Sequence, residues 1–274
     1  MVEEKWEKRS ERVLAATVFS NVMPGMFAGF TTRHGGVSKR PYATLNMGFH
    51  VGDDQNDVQR NRSLVAADIG FPLTKWIGSE QVHQAEIAEV TAADAGRGAD
   101  CLETALPGLD GIYTQEQGLL LTSLYADCVP LYFAAKSAGL IGLCHAGWKG
   151  SVAKIGPKLL GIWKEKHCVS ASDVHVLIGP SICASRYEVD EVVASKVKDA
   201  LGGEAAGVLT PTKPGHSLLD LPMLNKQLLV AAGVNPSHIH TSNVCTYESD
   251  AFFSHRKEKG RTGRMMSAIG LQKG

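Results

Sequence analysis

Three side chains that commonly bind soft metal ions stand near the ends of apolar, strand-like segments that lie far apart in the chain. His83 ends the segment SEQVH, Cys128 lies in LYADCVP, and His145 ends LIGLCH. Their spacing matches no compact zinc-finger pattern, and a lone cysteine in an apolar run is typical of a buried core, whereas imidazoles are less often fully buried. If the fold brings them together, two imidazoles and a thiolate would bind zinc and leave a fourth position open, where a water could be activated.

A carboxylate lies directly beside one of these candidates. Asp127 precedes Cys128 inside an apolar segment, where a charged group is costly unless it has a partner. Two roles are open for it. It could orient a ligand histidine by accepting a hydrogen bond from the ring, or it could simply cap a turn.

A second group of residues could bind an anion or a polar substrate. The loop GLCHAGWKGS is rich in glycine and carries Lys149, but Trp148 interrupts the spacing of a phosphate-binding GxxxxGK motif. The further candidates are Arg33 in TTRHGGVS, Arg62 in VQRNRSL, the basic stretch 256–264, and Asn46 in YATLNMG. Each is alternatively a solvated charge or, for Asn46, a residue that holds its own turn.

The elements that position these residues are mainly short strands. Apolar runs punctuated by Gly and Pro predict strands at 13–20, 27–33, 110–114, 118–126, 129–135, 140–146, 174–180 and 239–247, with a last one at the C-terminus. The segment 75–90 predicts strand, turn, strand, and Cys144 is expected to face the core, opposite His145. Helices are predicted at 53–69, from after GWKGS (147–151) to about His167, at 189–201 and at 219–233, and Gly156 and Pro157 should kink the second or shorten its first part. Strands joined without helices favour an α+β fold in a single domain covering 1–274, with residues 1–12 peripheral.

Composition narrows the class of protein. Lys plus Arg and Asp plus Glu are equal at 28 each, so no charge excess indicates nucleic acid or an anionic membrane as a partner. The longest apolar stretch, 118–135, is interrupted by Asp127 and Pro130 and does not predict a membrane span. The charged N-terminus resembles no export signal, so we expect a cytoplasmic protein whose six cysteines are reduced.

The order of several longer motifs resembles the laccase-domain family. These are FTTRHGGVS, PYATLNMGFHVGDD, QVH, DG, ADCVPLYF, CHAGWKGS, IGPSI, YEVDE, CTYESDAFFSHR and TGRMM, which together extend from about Phe30 to the C-terminus. The family was first labelled multicopper polyphenol oxidoreductase and is now regarded as purine nucleoside phosphorylases with adenosine deaminase activity.

The resemblance implies a layered α/β/β/α sandwich with mixed sheets and a zinc-type site formed by His83, Cys128 and His145. It also implies inosine, adenosine, guanosine or methylthioadenosine as substrates, with phosphate as the second substrate. Asn46 and Arg62 lie in segments that resemble substrate contacts. The chain departs from the family at Gln84, where Gly is usual, and at Lys149, where Arg is more frequent; a lysine cannot make a bidentate contact to an anion.

Three other interpretations are open. Copper could occupy a His₂Cys site as in an oxidase, although the chain contains a single HxH pair, His238 and His240, and a multicopper centre needs more. A metal-free hydrolase or transferase could use Cys128 as nucleophile, a histidine as base, and Asp127 or another carboxylate to orient it. A non-catalytic binding domain would show no turnover.

Overall fold

The computed structural model describes residues 5–20, 22–203 and 205–272. The helices are α1 (Gln55–Ile69), α2 (Trp148–Val152), α3 (Ile155–His167), α4 (Glu191–Leu201) and α5 (Leu221–Ala231). The strands are β1 (Trp6–Lys8), β2 (Val13–Ala16), β3 (Met26–Thr31), β4 (Trp76–Gly78), β5 (Ile87–Glu89), β6 (Gly111–Thr114), β7 (Leu120–Tyr125), β8 (Val129–Ala135), β9 (Leu140–Ala146), β10 (His175–Ile178), β11 (Glu188–Asp190), β12 (Leu209–Pro211), β13 (His216–Leu219), β14 (Ile239–Thr241) and β15 (Met265–Leu271).

The described strands form two six-stranded sheets and one of three strands. The first sheet has the order β1-β2-β3-β15-β7-β4, so the C-terminal strand β15 lies in its centre, antiparallel to both neighbours. The second sheet has the order β14-β10-β8-β9-β6-β5. Each large sheet combines antiparallel pairs with parallel ones, which confirms the expected mixed sheets.

The two large sheets pack face to face, and helices cover their outer faces. One apolar cluster joins Leu121 and Ile269 of the first sheet to Ile141 and Leu143 of the second. Helix α1 packs on the outside of the first sheet through residues such as Val65. Helices α3, α4 and α5 contribute to the cluster on the outside of the second sheet. The predicted α/β/β/α sandwich is therefore confirmed, because both sheets are buried on both faces.

Alternation along β9 separates a core residue from a site residue. Cys144 lies in the cluster under the helices, with Leu131 and Ile155, and is fully buried. Successive side chains of a strand point to opposite faces, so His145 leaves the sheet on the other side. The expectation that Cys144 is a core residue is confirmed.

Helix α1 confirms the helix predicted for 53–69. The Asp54 side chain accepts hydrogen bonds from the backbone N–H groups of Asn56 and Asp57, and so caps the N-terminus. Gly70, with φ 77°, ends the helix in the left-handed conformation. Capping residues at both ends explain why the sequence located this helix well.

The helix predicted after the GWKGS motif breaks at a different place from the one expected. It divides into α2 and α3 at Lys154, which has φ 59°, and not at Gly156–Pro157. Pro157 lies in the first turn of α3, where its missing N–H is not required, so it does not disturb the helix.

Other predicted elements are placed differently. The strand, turn, strand predicted for 75–90 is not a hairpin, because β4 belongs to the first sheet and β5 to the second. The strand predicted for 239–247 is only three residues long. The sheet of β11, β13 and β12 was not predicted. Residues 1–4 lie outside the described residues, and the remainder of the segment expected to be peripheral forms the edge strand β1.

The expectation that all six cysteines are reduced is wrong for one pair. The sulfurs of Cys183 and Cys245 are joined as a disulfide, with their Cα atoms 5.2 Å apart. The chain offers no local pattern for this pair, because the two residues are 62 positions apart and meet only in the fold. Among the described residues, no helix combines the length and the apolar character needed to cross a membrane. The cytoplasmic location stays a prediction.

Candidate metal centre and active-site cavity

The fold brings together the three metal-ligand candidates. The ligand atoms of His83, Cys128 and His145 all lie within 4.8 Å of one another. His83 lies in the loop after β4, Cys128 immediately before β8, and His145 in β9, so three separate segments meet here. β8 and β9 are antiparallel neighbours that pair Pro130 with His145, and this register brings Cys128 beside the histidine.

Asp110 holds both histidines in place. Its carboxylate lies 2.8 Å from Nδ1 of His145 and accepts hydrogen bonds from the backbone N–H groups of Val82, His83 and Gln84. Since Nδ1 of His145 is engaged in this way, Nε2 is the nitrogen left for a metal or for Cys128. The hydrogen bonds also support the His83 backbone, whose φ of 59° is unusual for a residue other than glycine.

The cluster stabilises a thiolate on Cys128. Burial alone would raise the pKa of its thiol, but the charge of His145 and hydrogen bonds from His145 and His83 lower it to about 6. Burial would lower the pKa of His145, yet the thiolate and the Asp110 carboxylate raise it to about 9. The metal-free chain therefore favours a thiolate and imidazolium pair at neutral pH, and the thiolate is the form that binds metals.

The space around the cluster fits a metal ion. A Cβ atom on Gly147 would lie 3.0 Å from Sγ of Cys128 and 3.4 Å from Cδ2 of His83, so a larger residue would crowd the ligands. The ring centroids of His83 and His145 lie 4.7 Å apart, and the two rings pack edge to face. Two nitrogen donors and one sulfur donor form a set that could hold a metal ion and leave a further position open.

Asp127 orients neither histidine. Its Oδ1 accepts a hydrogen bond from the Thr246 hydroxyl, and its Oδ2 accepts from the Ser254 hydroxyl and the Arg256 backbone N–H, at 2.7 Å, 3.0 Å and 2.7 Å. The buried carboxylate thus fastens the segment 246–256 beside Cys128. The expectation that Asp127 orients a ligand histidine is wrong, because Asp110 occupies that position.

A cavity of about 460 Å³ opens in front of the metal cluster. Its volume lies within the usual range for a small-molecule site. Its lining includes five basic or aromatic side chains, together called the basic wall, namely His50, Tyr187, His255, Arg256 and Arg264. The other residues that line it beside the metal cluster are Ser79, Glu80, Gln81, Leu102, Leu124, Ala126 and Asp127.

The two arginines of this wall are held in position by other groups. Arg256 lies with its guanidinium 5.1 Å from the Tyr187 ring and donates a hydrogen bond to the carbonyl of Glu188. Arg264 donates to the carbonyls of Thr262 and Gly263, and burial lowers its pKa. Neither forms an ion pair among the described residues, so their charge is available to an anion in the cavity.

Arg33 and Arg62 do not line this cavity, contrary to expectation. Arg33 forms an ion pair with Glu258 at 3.0 Å and lies over the Phe253 ring. Arg62 is buried, and its donors are used by the backbone carbonyls of Met47, Gly98 and Ala99. Burial lowers the pKa of Arg62 to about 10, so it remains charged while bracing the loops.

Asn46 and Lys149 also lie apart from the cavity. Asn46 is fully buried; its amide donates to the Gly48 carbonyl and the Asp53 carboxylate, and its oxygen accepts from the backbone N–H groups of Gly48 and Arg264. It therefore acts on the site by placing Arg264. Lys149 is exposed and lines a different cavity, which shares only His83 with the first.

Sequence reasoning missed Asp110, Arg256 and Arg264 as individual site residues. Asp110 directly precedes the apolar strand segment GIYT, so it carries a signal like the one that singled out Asp127, a carboxylate next to apolar residues. The two arginines fall within the basic stretch 256–264, where no local pattern distinguishes them from their charged neighbours.

Comparisons with known proteins support this architecture. A family model described as multi-copper polyphenol oxidoreductase laccase matches residues 27–272. The chain belongs to this family. A relative named purine nucleoside phosphorylase YlmD, from Geobacillus stearothermophilus, is 48% identical over 247 residues, which cover 90% of each chain. A Bacillus subtilis relative of the same name is 42% identical over 248 residues, covering 90% of this chain and 89% of the relative.

Solved structures of the family have the same fold. The crystal structure of YlmD from Geobacillus stearothermophilus matches with a TM-score of 0.94 at 45% identity, covering 98% of this chain and 100% of that one. A Bacillus licheniformis protein titled hypothetical protein YfiH matches with a TM-score of 0.93 at 36% identity over the same shares. The family inferred from the sequence motifs is therefore confirmed.

Proposed function

We propose that the protein is a zinc-dependent purine nucleoside phosphorylase that also deaminates adenosine. It would convert inosine, adenosine, guanosine or methylthioadenosine, together with phosphate, into the free base and a ribose 1-phosphate. The observation that carries the proposal is the joining of a His83, Cys128 and His145 cluster with a basic wall in one cavity. The names of the relatives from Geobacillus stearothermophilus and Bacillus subtilis support the reaction class.

The basic wall supplies the site for phosphate. Phosphorolysis requires an oxyanion held near C1′ of the nucleoside while positive charge develops on the sugar. Arg256 and Arg264 both line the cavity, so a phosphate between them would face the nucleoside in front of the cluster. They replace Arg33, Arg62 and Lys149 as the proposed phosphate contacts, because those side chains lie outside this cavity.

His83, Cys128 and His145 would hold the zinc ion. When bound, zinc supplies a Lewis acid and lowers the pKa of water, which is the chemistry that deamination needs. Asp110 keeps the Nδ1 side of His145 engaged and so presents Nε2 to the site. The Arg256 and Tyr187 pair lines the same cavity, with the guanidinium lying over the ring.

Deamination would use a site built differently from that of the zinc deaminases with HxE and PCxxC signatures, because the chain contains neither signature. Glu80 is a carboxylate in the same cavity, exposed to it, and could carry the proton that the leaving ammonia requires. One cavity would therefore serve both reactions.

The test follows the products of inosine and adenosine with zinc-loaded protein. Hypoxanthine release should depend on phosphate, and ammonia release from adenosine should not. Arg256→Ala should raise the KM for phosphate at least about tenfold, since it removes a charge-assisted contact. Lys149→Ala, a matched removal of a cation outside the cavity, should leave that KM unchanged. Base release that does not respond to phosphate would overturn the proposal.

A second candidate function uses the same residues without a metal. In a cysteine hydrolase or transferase, Cys128 would be the nucleophile, His145 the base, and Asp110 the carboxylate that orients the base. The Cys128 pKa of about 6 suits a nucleophile. That enzyme would keep its activity after chelation and lose it on alkylation of Cys128. The phosphorylase would lose activity on chelation and regain it with zinc.

The third interpretation is a copper oxidase, for which the number of metal-binding clusters matters. A multicopper oxidase needs several copper sites, whereas the described residues contain a single cluster of three metal-binding side chains. A single copper at His83, Cys128 and His145 would give an intense thiolate-to-copper absorption band. If the copper-loaded protein shows this band but oxidises no substrate, the site binds copper without oxidase activity.

A further inference from the structure

Cys183 and Cys245 lie outside the active-site cavity and next to a cavity of their own. Both are half-buried, and both line a surface cavity of about 350 Å³ that shares no lining residue with the active-site cavity. The pair therefore borders a surface cavity of a size that admits a small thiol or disulfide. The backbone N–H of Cys183 lies 3.2 Å from Sγ of Cys245, a contact that would stabilise a thiolate on Cys245.

The two cysteines join segments that both bind Asp127. On the Cys183 side, the backbone N–H of Ile182 donates to the Asp127 carbonyl at 3.0 Å. On the Cys245 side, the Thr246 hydroxyl donates to the Asp127 carboxylate at 2.7 Å. A backbone hydrogen bond from Thr246 to the Ser181 carbonyl completes the connection between the segments. The pair thus closes a small network one residue away from Cys128.

Each segment continues into the basic wall of the active-site cavity. The Cys183 segment leads to Tyr187, and the Cys245 segment leads to Arg256, whose guanidinium lies over the Tyr187 ring. An exposed ion pair between Arg186 and Glu248 also joins the two segments, but such pairs contribute little in solvent. The covalent link is therefore the strongest connection between the segments that carry these two side chains.

We propose that Cys183 and Cys245 are a reversible thiol–disulfide exchange site whose oxidation state controls how firmly the Tyr187 and Arg256 wall is held. The oxidant is a low-molecular-weight disulfide. The Cys245 thiol loses its proton, and the resulting thiolate attacks one sulfur of the oxidant and expels one thiolate, which gives a mixed disulfide on Cys245. The Cys183 thiol loses its proton, attacks the Cys245 sulfur and expels the second thiolate. Two protein thiols are oxidised, one external disulfide is reduced, and the two released protons balance the two expelled thiolates.

The first experiment titrates the full-length protein with reduced and oxidised glutathione. Free thiols are trapped with N-ethylmaleimide and mapped by mass spectrometry. We expect Cys183 and Cys245 to pass together from two alkylated residues to one cross-linked peptide, reversibly, as the oxidised fraction rises. Cys168, an exposed cysteine elsewhere, should never enter the cross-link. Independent alkylation of Cys183 and Cys245 at every ratio, or a mixed disulfide that never resolves, would overturn the proposal.

The second experiment measures hydrogen exchange in both redox states. The amides of 181–187 and 244–256 should exchange at least about threefold more slowly in the oxidised protein, while β7 should be unchanged. Cys245→Ser and Cys183→Ala should each abolish this difference, and Cys168→Ser should preserve it. Equal exchange in the two states of the wild-type protein would show that the pair does not control the wall. Neither readout needs catalysis, so failure of the proposed phosphorylase activity would leave both results interpretable.

Discussion

Two buried carboxylates near the metal cluster have different tasks. Asp110 binds the Nδ1 side of His145 and the backbone around His83, so it acts on the ligands. Asp127, although adjacent to Cys128 in sequence, binds the segment that carries Arg256. The sequence identified the right type of residue and the right neighbourhood, but the partner of a carboxylate depends on which loop the fold brings to it.

We expect Asp110→Asn to weaken metal binding. The amide keeps the size of the side chain but cannot accept from His145 and three backbone N–H groups as a carboxylate does. Loss of such a partner typically costs about 10- to 100-fold in metal affinity. Zinc affinity measured by competition with a chromophoric chelator checks this expectation. Unchanged affinity would contradict the orienting role of Asp110.

Asp127→Asn makes the same change at the other buried carboxylate, and we expect a different result from that of Asp110→Asn. It should lower the free energy of unfolding by about 2 kcal/mol, because a buried charged acceptor loses its hydrogen bonds. It should also raise the KM for phosphate, since the Arg256 segment loses its anchor, while zinc content stays at one ion per chain. Urea unfolding, KM and metal content measured on one preparation distinguish the two carboxylates. A loss of zinc in Asp127→Asn with normal KM would reverse the assignment.

The lowered pKa of Cys128 predicts its reactivity in the metal-free protein. The rate of alkylation by iodoacetamide should rise through a midpoint near pH 6, and near about 8.5 in the urea-unfolded chain. Because the folded-state pKa is the lower one, the thiolate stabilises the fold above the unfolded pKa, and this contribution is lost as pH falls through about 6. Zinc should protect Cys128 from the reagent. A midpoint near pH 8.5 in the folded protein would show that the histidines do not stabilise the thiolate.

At the scale of elements, the sequence predicted the helices and strands whose signals are local, such as cap residues and apolar runs. It did not predict those that depend on pairing with distant segments. Helix α1 has its cap residues in the sequence, and β8 and β9 have continuous apolar runs, so each was located. The sheet of β11, β12 and β13 consists of segments of three or four residues that are strands only because they pair. Which sheet β4 and β5 join is likewise decided by partners far along the chain.

The break at Lys154 gives a prediction at this scale. Lys154 has φ 59°, which costs a residue with a side chain about 1 to 2 kcal/mol. Lys154→Gly should therefore raise the free energy of unfolding by about 0.5 kcal/mol, after allowance for the greater freedom of glycine in the unfolded chain. Lys164→Gly, inside α3, should lower it by about 1 kcal/mol. Urea unfolding of both variants checks the opposite signs, and destabilisation by both would contradict the role given to Lys154.

At the scale of the whole molecule, the site exists because the layered sandwich closes around it. Cys128 directly precedes β8 and His145 lies in the adjacent β9 of the second sheet, whereas His83 and Arg264 come from loops that flank strands of the first. Periodicity predicted the strands but not their order, since β15 enters the centre of the first sheet from the far end of the chain. The family motifs indicated the convergence of the three ligands, which spacing alone left open.

The central claim is that one cavity combines the metal cluster with a phosphate site. The most direct measurement follows ³¹P NMR signals of zinc-loaded protein with inosine and phosphate. We predict that the signal of ribose 1-phosphate grows as hypoxanthine is released, in equal amounts, and that Cys128→Ser, with its fold intact, abolishes both. Release of hypoxanthine with free ribose and no new phosphate ester, or undiminished turnover by Cys128→Ser, would contradict the account.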